Sequence, residues 1–264
     1  YGRHMYLWAA QDLPQVKREP FAADSNSVMM SVAWAPKDSW TNVGAWFASL
    51  ARPRFTLSPA AAATVHGLVA SARTLGDSIR AVHRWVTQDI RYVSIDFGIG
   101  GYRPRSADSV IATGFGDCKD KAMLFVAAAH ALGVTAYPVL LSAGGHVVRA
   151  LPSKNQFDHV IAAVKTPAGY TYTDLTDDER PYGELPGGDQ GEFGLIVHPD
   201  GTTEQVTLPE QPASANVIAD SLVGTLTPDG AFHGSVTEIG SGSRAASLRS
   251  TFSNPIVSTQ RVNY

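Results

Sequence analysis

A turn gives way to a helix at Gly116-Asp117-Cys118-Lys119-Asp120-Lys121-Ala122, and the run from Ala122 to Leu132 is almost wholly apolar until Gly133 stops it. Asp117 is a good N-cap, and Asp120 three positions on suggests a capping-box-like pair. Cys118 is the only cysteine in 264 residues, and this pattern places it on the first helical turn. A thiol is nucleophilic only as the thiolate. A helix N-terminus flanked by lysines is one setting that favours that form. A buried structural cysteine would more naturally sit on the apolar stripe beside Met123 or Phe125. Cys118 is therefore read as a candidate nucleophile.

A cysteine nucleophile needs a base, and the base needs a group that orients it. Of eight histidines, His159 stands out because Phe157 to Val164 reads as a strand. Thr166-Pro167-Ala168-Gly169 reads as a turn, and Tyr170 to Leu175 as the returning strand. If Lys165 pairs with Tyr170, antiparallel register puts Asp174 opposite Ile161, diagonal to His159 and on the same face. A slip of one residue would destroy that arrangement. His66, His83 and His130 fall in helical patterns, His146 in a Gly-rich loop, and His198 and His233 in the C-terminal strand-rich part. No clustered His/Cys/Glu spacing suggests zinc, so neither metal nor cofactor is expected.

The three blocks Gly116 to Ala122, Phe157-Asp158-His159 and Tyr172-Thr173-Asp174-Leu175-Thr176 resemble those of the bacterial transglutaminase-like superfamily, as does the lead-in Ile90-Arg91-Tyr92-Val93 with Gly101-Tyr102-Arg103-Pro104. The resemblance covers about residues 75 to 180. It implies an α+β fold with a papain-like core, helices packed on an antiparallel sheet, followed by a small β-rich module. It also implies a Cys118–His159–Asp174 triad. The superfamily contains proteases, amidases, transglutaminases and inactive members, so the resemblance speaks more strongly for fold than for reaction. Hydrolysis of a peptide or other amide through a thioester is the expectation, with amide-transferring acyl transfer as the alternative. A non-catalytic scaffold has no physical need for all three residues. Family resemblance further suggests a place outside the cytoplasm and additional domains in a longer protein.

Along the chain, residues 1–5 look like a cloning remnant, and 6–60 like the end of a preceding β-rich domain or a linker. Residues 61–186 are expected to form the catalytic core, and 187–264 a β-rich C-terminal module. Helices are expected over Ser39 to Leu50, Pro59 to Ala72 and, after an Asp cap, Asp77 to Ile90. Phe97 to Pro104 reads as a loop and Val134 to Leu141 as a strand; Tyr92 and Tyr102 are read as buried, hydrogen-bonded tyrosines that could otherwise reach a substrate. Asp177-Asp178-Glu179-Arg180 reads as a solvated loop, and Pro199-Asp200-Gly201 and Pro228-Asp229-Gly230 as hairpin turns. The net charge of −3 carries no basic footprint for nucleic acid, and no apolar run approaches the roughly 20 residues that span a bilayer.

Overall fold

The computed structural model describes residues 5–13, 15, 30–94 and 97–253. The chain divides into two units, residues 1–34 and 35–264. The described residues of the first form no helix or strand, although Tyr6 and Trp8 stack with ring centroids 6.1 Å apart. The expected cloning remnant falls mostly on residues 1–4, outside the described residues.

The second unit opens with three helices, each capped as its sequence dictates. Ser39 caps α1 (Trp40–Ala51) and Ser58, followed by a proline at the first helical position, caps α2 (Pro59–Leu68). The third, α3 (Leu75–Arg84), starts two residues earlier than expected. Thr74 is its cap, and Asp77 is the third helical residue of a reciprocal capping box rather than the cap itself. The expected helix does continue towards Ile90, but it widens into a π-helical turn over Trp85–Asp89. Lys121 Nζ donates to the carbonyls of Thr87, within that turn, and of Ile90, just after it.

A short parallel pair, β1 (Arg91–Tyr92) with β2 (Phe115–Gly116), brackets α4 (Ala107–Thr113) and delivers the chain to α5 (Cys118–Ala131). Every residue of α5 from Lys119 to Ala129 is buried. A helix apolar on all sides must be enclosed on all sides, and α5 is packed against the sheet and against α2, α3 and α4. Gly133, at φ +74°, ends it: Gly133 N–H donates to the His130 carbonyl and Val134 N–H to that of Ala129, both at 2.9 Å.

The sheet has five antiparallel strands in the order β5-β4-β3-β6-β7, with β3 Ala136–Leu141, β4 His159–Thr166, β5 Gly169–Thr173, β6 Phe193–Val197 and β7 Thr203–Thr207. Lys165 pairs with Tyr170 around a two-residue Pro167-Ala168 turn, the register anticipated above. Alternate residues separate two cores. Leu140, Val160, Ala162, Leu195 and Val197 join the helices, while Val139, Leu141, Ile161 and Ile196 pack with Tyr172, Leu185 and Leu208 on the other face.

The boundary expected after residue 186 does not separate two modules here. β6 pairs with β3 in the middle of the sheet, and β7 pairs with β6. The physical sign is in β6 itself: all five of its residues are buried, as in an internal strand covered on both faces. α1 lies across β6 and β7, with Gly44 so close to Thr203 that a Cβ there would collide with the threonine methyl carbon. Among the described residues beyond 186, β8 (Ile218–Leu226) and β9 (Phe232–Gly240) form a separate hairpin, largely exposed along both strands, and α6 (Ser243–Ser253) follows.

Candidate active site

The start of α5 and the start of β4 meet at a cavity of about 320 Å³ lined by Cys118, His159, Trp46, Phe47, Tyr102 and Lys154, among others. Cys118 is a free, half-buried thiol on the first turn of α5. Asp117 caps that turn by accepting from Asp120 N–H at 3.2 Å. Its neighbour Gly116 has no room for a side chain, since a Cβ would meet that of Asp120 at 2.8 Å. Glycine is therefore required where the chain turns into the helix.

His159 Nε2 lies 3.0 Å from Asp174 Oδ2, and the ring shares the lining of the cavity with the Cys118 side chain. Asp174 is 5% exposed, and its second oxygen accepts from both the backbone N–H and the hydroxyl of Thr176 at 2.8 Å. These bonds fix the carboxylate plane and aim Oδ2 at the ring. Burial works to raise the Asp174 pKa, but the His159 hydrogen bond and charge, with the Thr176 donors, hold it below the usual carboxylate value. His159 shows the complementary balance. Burial works to lower its pKa, yet the Asp174 and Cys118 side chains carry it up to about 11. The three residues singled out by sequence are thus brought to one place.

The charged residues around Cys118 are arranged differently from expectation. Lys119 forms a buried ion pair with Asp117, so its charge is matched within the turn. Lys121 points away into the π-helical turn, where its Nζ donates to Ile90 O at 2.7 Å and Thr87 O at 3.3 Å. Burial lowers its pKa to about 8. Asp120 does not complete a reciprocal capping box: its oxygens take Arg105 N–H and Nε–H, each at 2.8 Å. Burying these charges without partners would cost several kcal/mol, so here they tie the helix start to its supports.

Of the two tyrosines considered, Tyr102 lines the cavity, with its ring 5.1 Å from Trp46 and beneath Lys154 Nζ at 4.4 Å. Tyr92, 47% exposed, is not the buried side chain expected. Of the helical histidines, His66 is exposed, while His130 and His83 serve packing. His130 bridges Phe55 O and Ala136 O, and His83 is buried between Phe125 and Tyr182, where burial lowers its pKa to about 4. The Asp177–Arg180 run is no free solvated loop. Arg180 binds Asp177 at 2.7 Å and Ser243 at 3.2 Å, and Glu179 O accepts from Arg249, which moors α6.

One buried acid has no counterpart among the residues singled out by sequence. Asp189, 1% exposed, sits with a carboxylate oxygen within 4.8 Å of ligand atoms of both His159 and Asp174. Its only local signal is Pro-Gly-Gly-Asp, which reads as a loop. Burial and the nearby Asp174 charge raise its pKa to about 7.

Residues 62–175 match the family model of the transglutaminase-like superfamily. Among solved structures, a candidate protease from Parabacteroides distasonis ATCC 8503 superposes with a TM-score of 0.52 at 12% identity, covering 73% of this chain and 38% of that one. A candidate cysteine protease from Cytophaga hutchinsonii matches at 18% identity over 47% of this chain and 41% of its own, with a TM-score of 0.35. The chain therefore spans about two fifths of the length of these structures. No curated protein matches it. The family match and the superposition agree with the architecture: residues 62–175 are a transglutaminase-like superfamily domain, set in an α+β fold.

Proposed function

We propose that this chain is a thiol-dependent acyl-transfer enzyme that hydrolyses peptide or other amide bonds through a thioester on Cys118. The observation that carries the reading is that the Cys118 thiol and the His159 ring line one cavity while the Thr176-anchored Asp174 carboxylate binds the far side of that ring. Because Nε2 faces Asp174, Nδ1 is the nitrogen left for the thiol. His159 takes the Cys118 proton there and becomes an imidazolium that Asp174 neutralises. The sulfur attacks the amide carbon, and the new C–S bond forms a tetrahedral oxyanion. The Cys118 N–H, on a first helical turn whose amides lack intrahelical acceptors, is a candidate donor to that oxygen. Collapse breaks the C–N bond, and His159 returns its proton to the departing amine. Water then attacks the thioester with His159 as base, releasing the acid and restoring the thiol. The cavity wall of Trp46, Phe47 and Tyr102 offers aromatic surface to an acyl side chain.

Two measurements test this. Wild-type protein should be alkylated at Cys118 by iodoacetamide faster at neutral pH than His159→Ala; the single cysteine makes all labelling report one site. Equal rates would remove the activated pair and leave a scaffold. Mass spectrometry after exposure to a peptide library, with and without added amines, then separates cleavage from amide transfer. Amine-dependent adducts without cleavage would replace hydrolysis by acyl transfer.

A further inference from the structure

His159 borders two cavities. One is the Cys118 cleft; the other, of about 770 Å³, is bordered by His159, Asp174 and Asp189 together with Asp177, Asp178 and Arg180. Arg180, the cation on that wall, is held by Asp177 and Ser243. Asp189 reaches the site on a tethered loop: its N–H donates to Pro186 O at 3.0 Å, and the preceding Gly188 carbonyl accepts from Gly144 N–H at 2.6 Å. Despite that tethering, Asp189 Oδ2 is buried with no hydrogen-bond partner. A buried carboxylate oxygen without a partner is unfavourable and demands a counterpart. What faces it is another carboxylate and the His159 ring, one ligand atom from each of the three residues lying within 4.8 Å of the others, and neither makes a hydrogen bond to Oδ2.

We propose that His159, Asp174 and Asp189 form a binding site for a first-row divalent metal cation, reached through the acidic cavity. One imidazole and two carboxylates are the donor types that zinc accepts, and the cavity leaves room for a water as fourth ligand. Donors of a tetrahedral zinc site lie roughly 3.4 Å apart, so closing on the ion needs a contraction of at most about 1.4 Å. The outer support is already built: Thr176 holds Asp174 through its other oxygen, and Gly144 holds the loop that carries Asp189. Charge favours the exchange as well, since a dication placed between two buried carboxylates relieves their repulsion.

Occupancy takes His159 Nε2 from Asp174. On the reading proposed above, the metal-bound and reactive states therefore exclude each other, and the cation would act as an inhibitor. The binding itself does not depend on that reading.

The test is isothermal titration of chelator-treated protein with zinc chloride, comparing wild type, Cys118→Ala, Asp189→Asn and Asp189→Ala, with circular dichroism confirming the fold. One equivalent should bind to wild type and to Cys118→Ala with the same affinity. Each Asp189 variant that keeps the fold should bind at least about tenfold more weakly. Cobalt(II) in place of zinc should show visible bands without thiolate-to-metal charge transfer. No binding by wild type, unchanged affinity in a folded Asp189 variant, or loss of binding in Cys118→Ala would each overturn the proposal. Since Cys118→Ala cannot form a thioester, its titration judges the metal site alone, and the alkylation assay judges the reaction alone.

Discussion

Replacing Asp174 by asparagine probes the His159 pair with almost no change of shape. The oxygen of the introduced amide can still accept the Thr176 N–H and hydroxyl, as Asp174 Oδ1 does at 2.8 Å. Its NH2 group then faces His159 Nε2, where a carboxylate oxygen stood at 3.0 Å. A donor opposite Nε2 needs an unprotonated Nε2, so the proton of the neutral ring moves to Nδ1, the nitrogen that should accept from Cys118. Flipping the amide does not help, because NH2 would then oppose the Thr176 N–H. The substitution also removes the negative charge that supports the His159 cation. A hydrogen bond to a charged group contributes about 1.5–3 kcal/mol, and about 1.4 kcal/mol is tenfold, so the population of the ion-paired state should fall about 10- to 100-fold. The assay is the second-order rate of iodoacetamide labelling at neutral pH, with folding checked by circular dichroism and the single thiol counted by mass. A rate equal to wild type in a folded Asp174→Asn protein would refute the argument that Asp174 sets the protonation of the ring.

Three further outcomes follow from the packing and the buried charges. Gly44→Ala should destabilise the fold by about 1–3 kcal/mol through overpacking against Thr203, read as a lowered denaturant midpoint, and Thr203→Ala in the same chain should recover part of the loss. A chain ending at Pro186 should not fold, because it lacks β6, the partner of β3, and β7 beyond it; a cooperative thermal transition in that fragment would show that the sheet tolerates their loss. Asp189→Asn should change how stability depends on pH. The Asp189 pKa is raised on folding from 3.8 to about 7, so its favourable contribution is complete below pH 3.8 and is lost as pH rises through about 7. The loss amounts to at most about 4 kcal/mol, taking about 1.4 kcal/mol for each tenfold change in proton affinity between the unfolded and folded chain. His83, lowered from 6.5 to about 4, acts in the opposite sense in the same window. The difference between the wild-type and Asp189→Asn curves, measured with a chelator present, therefore isolates Asp189, and parallel curves would count against its titration.

What could be read from the chain was local or governed by strict periodicity. The cap at Asp117 and the stop at Gly133 are decided within a few residues of backbone chemistry. The β4–β5 register follows from a tight turn and a side-chain period of two, which is why Lys165 and Tyr170 could be paired in advance. Charge type was visible in the same way, but the choice of partner was not. Nothing near Lys119 and Lys121 says that one is matched by Asp117 and the other by the carbonyls of a distant π-helical turn. The largest omission has one origin. Phe193–Val197 is an apolar run whose place beside β3 depends on pairing across the whole β4–β5 hairpin, and no local pattern encodes that choice. With β6 read as part of another module, the Pro-Gly-Gly-Asp segment before it reads as a linker or long loop. With β6 inserted between β3 and β7, the same loop must cross close to the end of β3, and its acid is buried against His159 and Asp174. The misplaced boundary and the missed carboxylate are one consequence of a single long-range pairing.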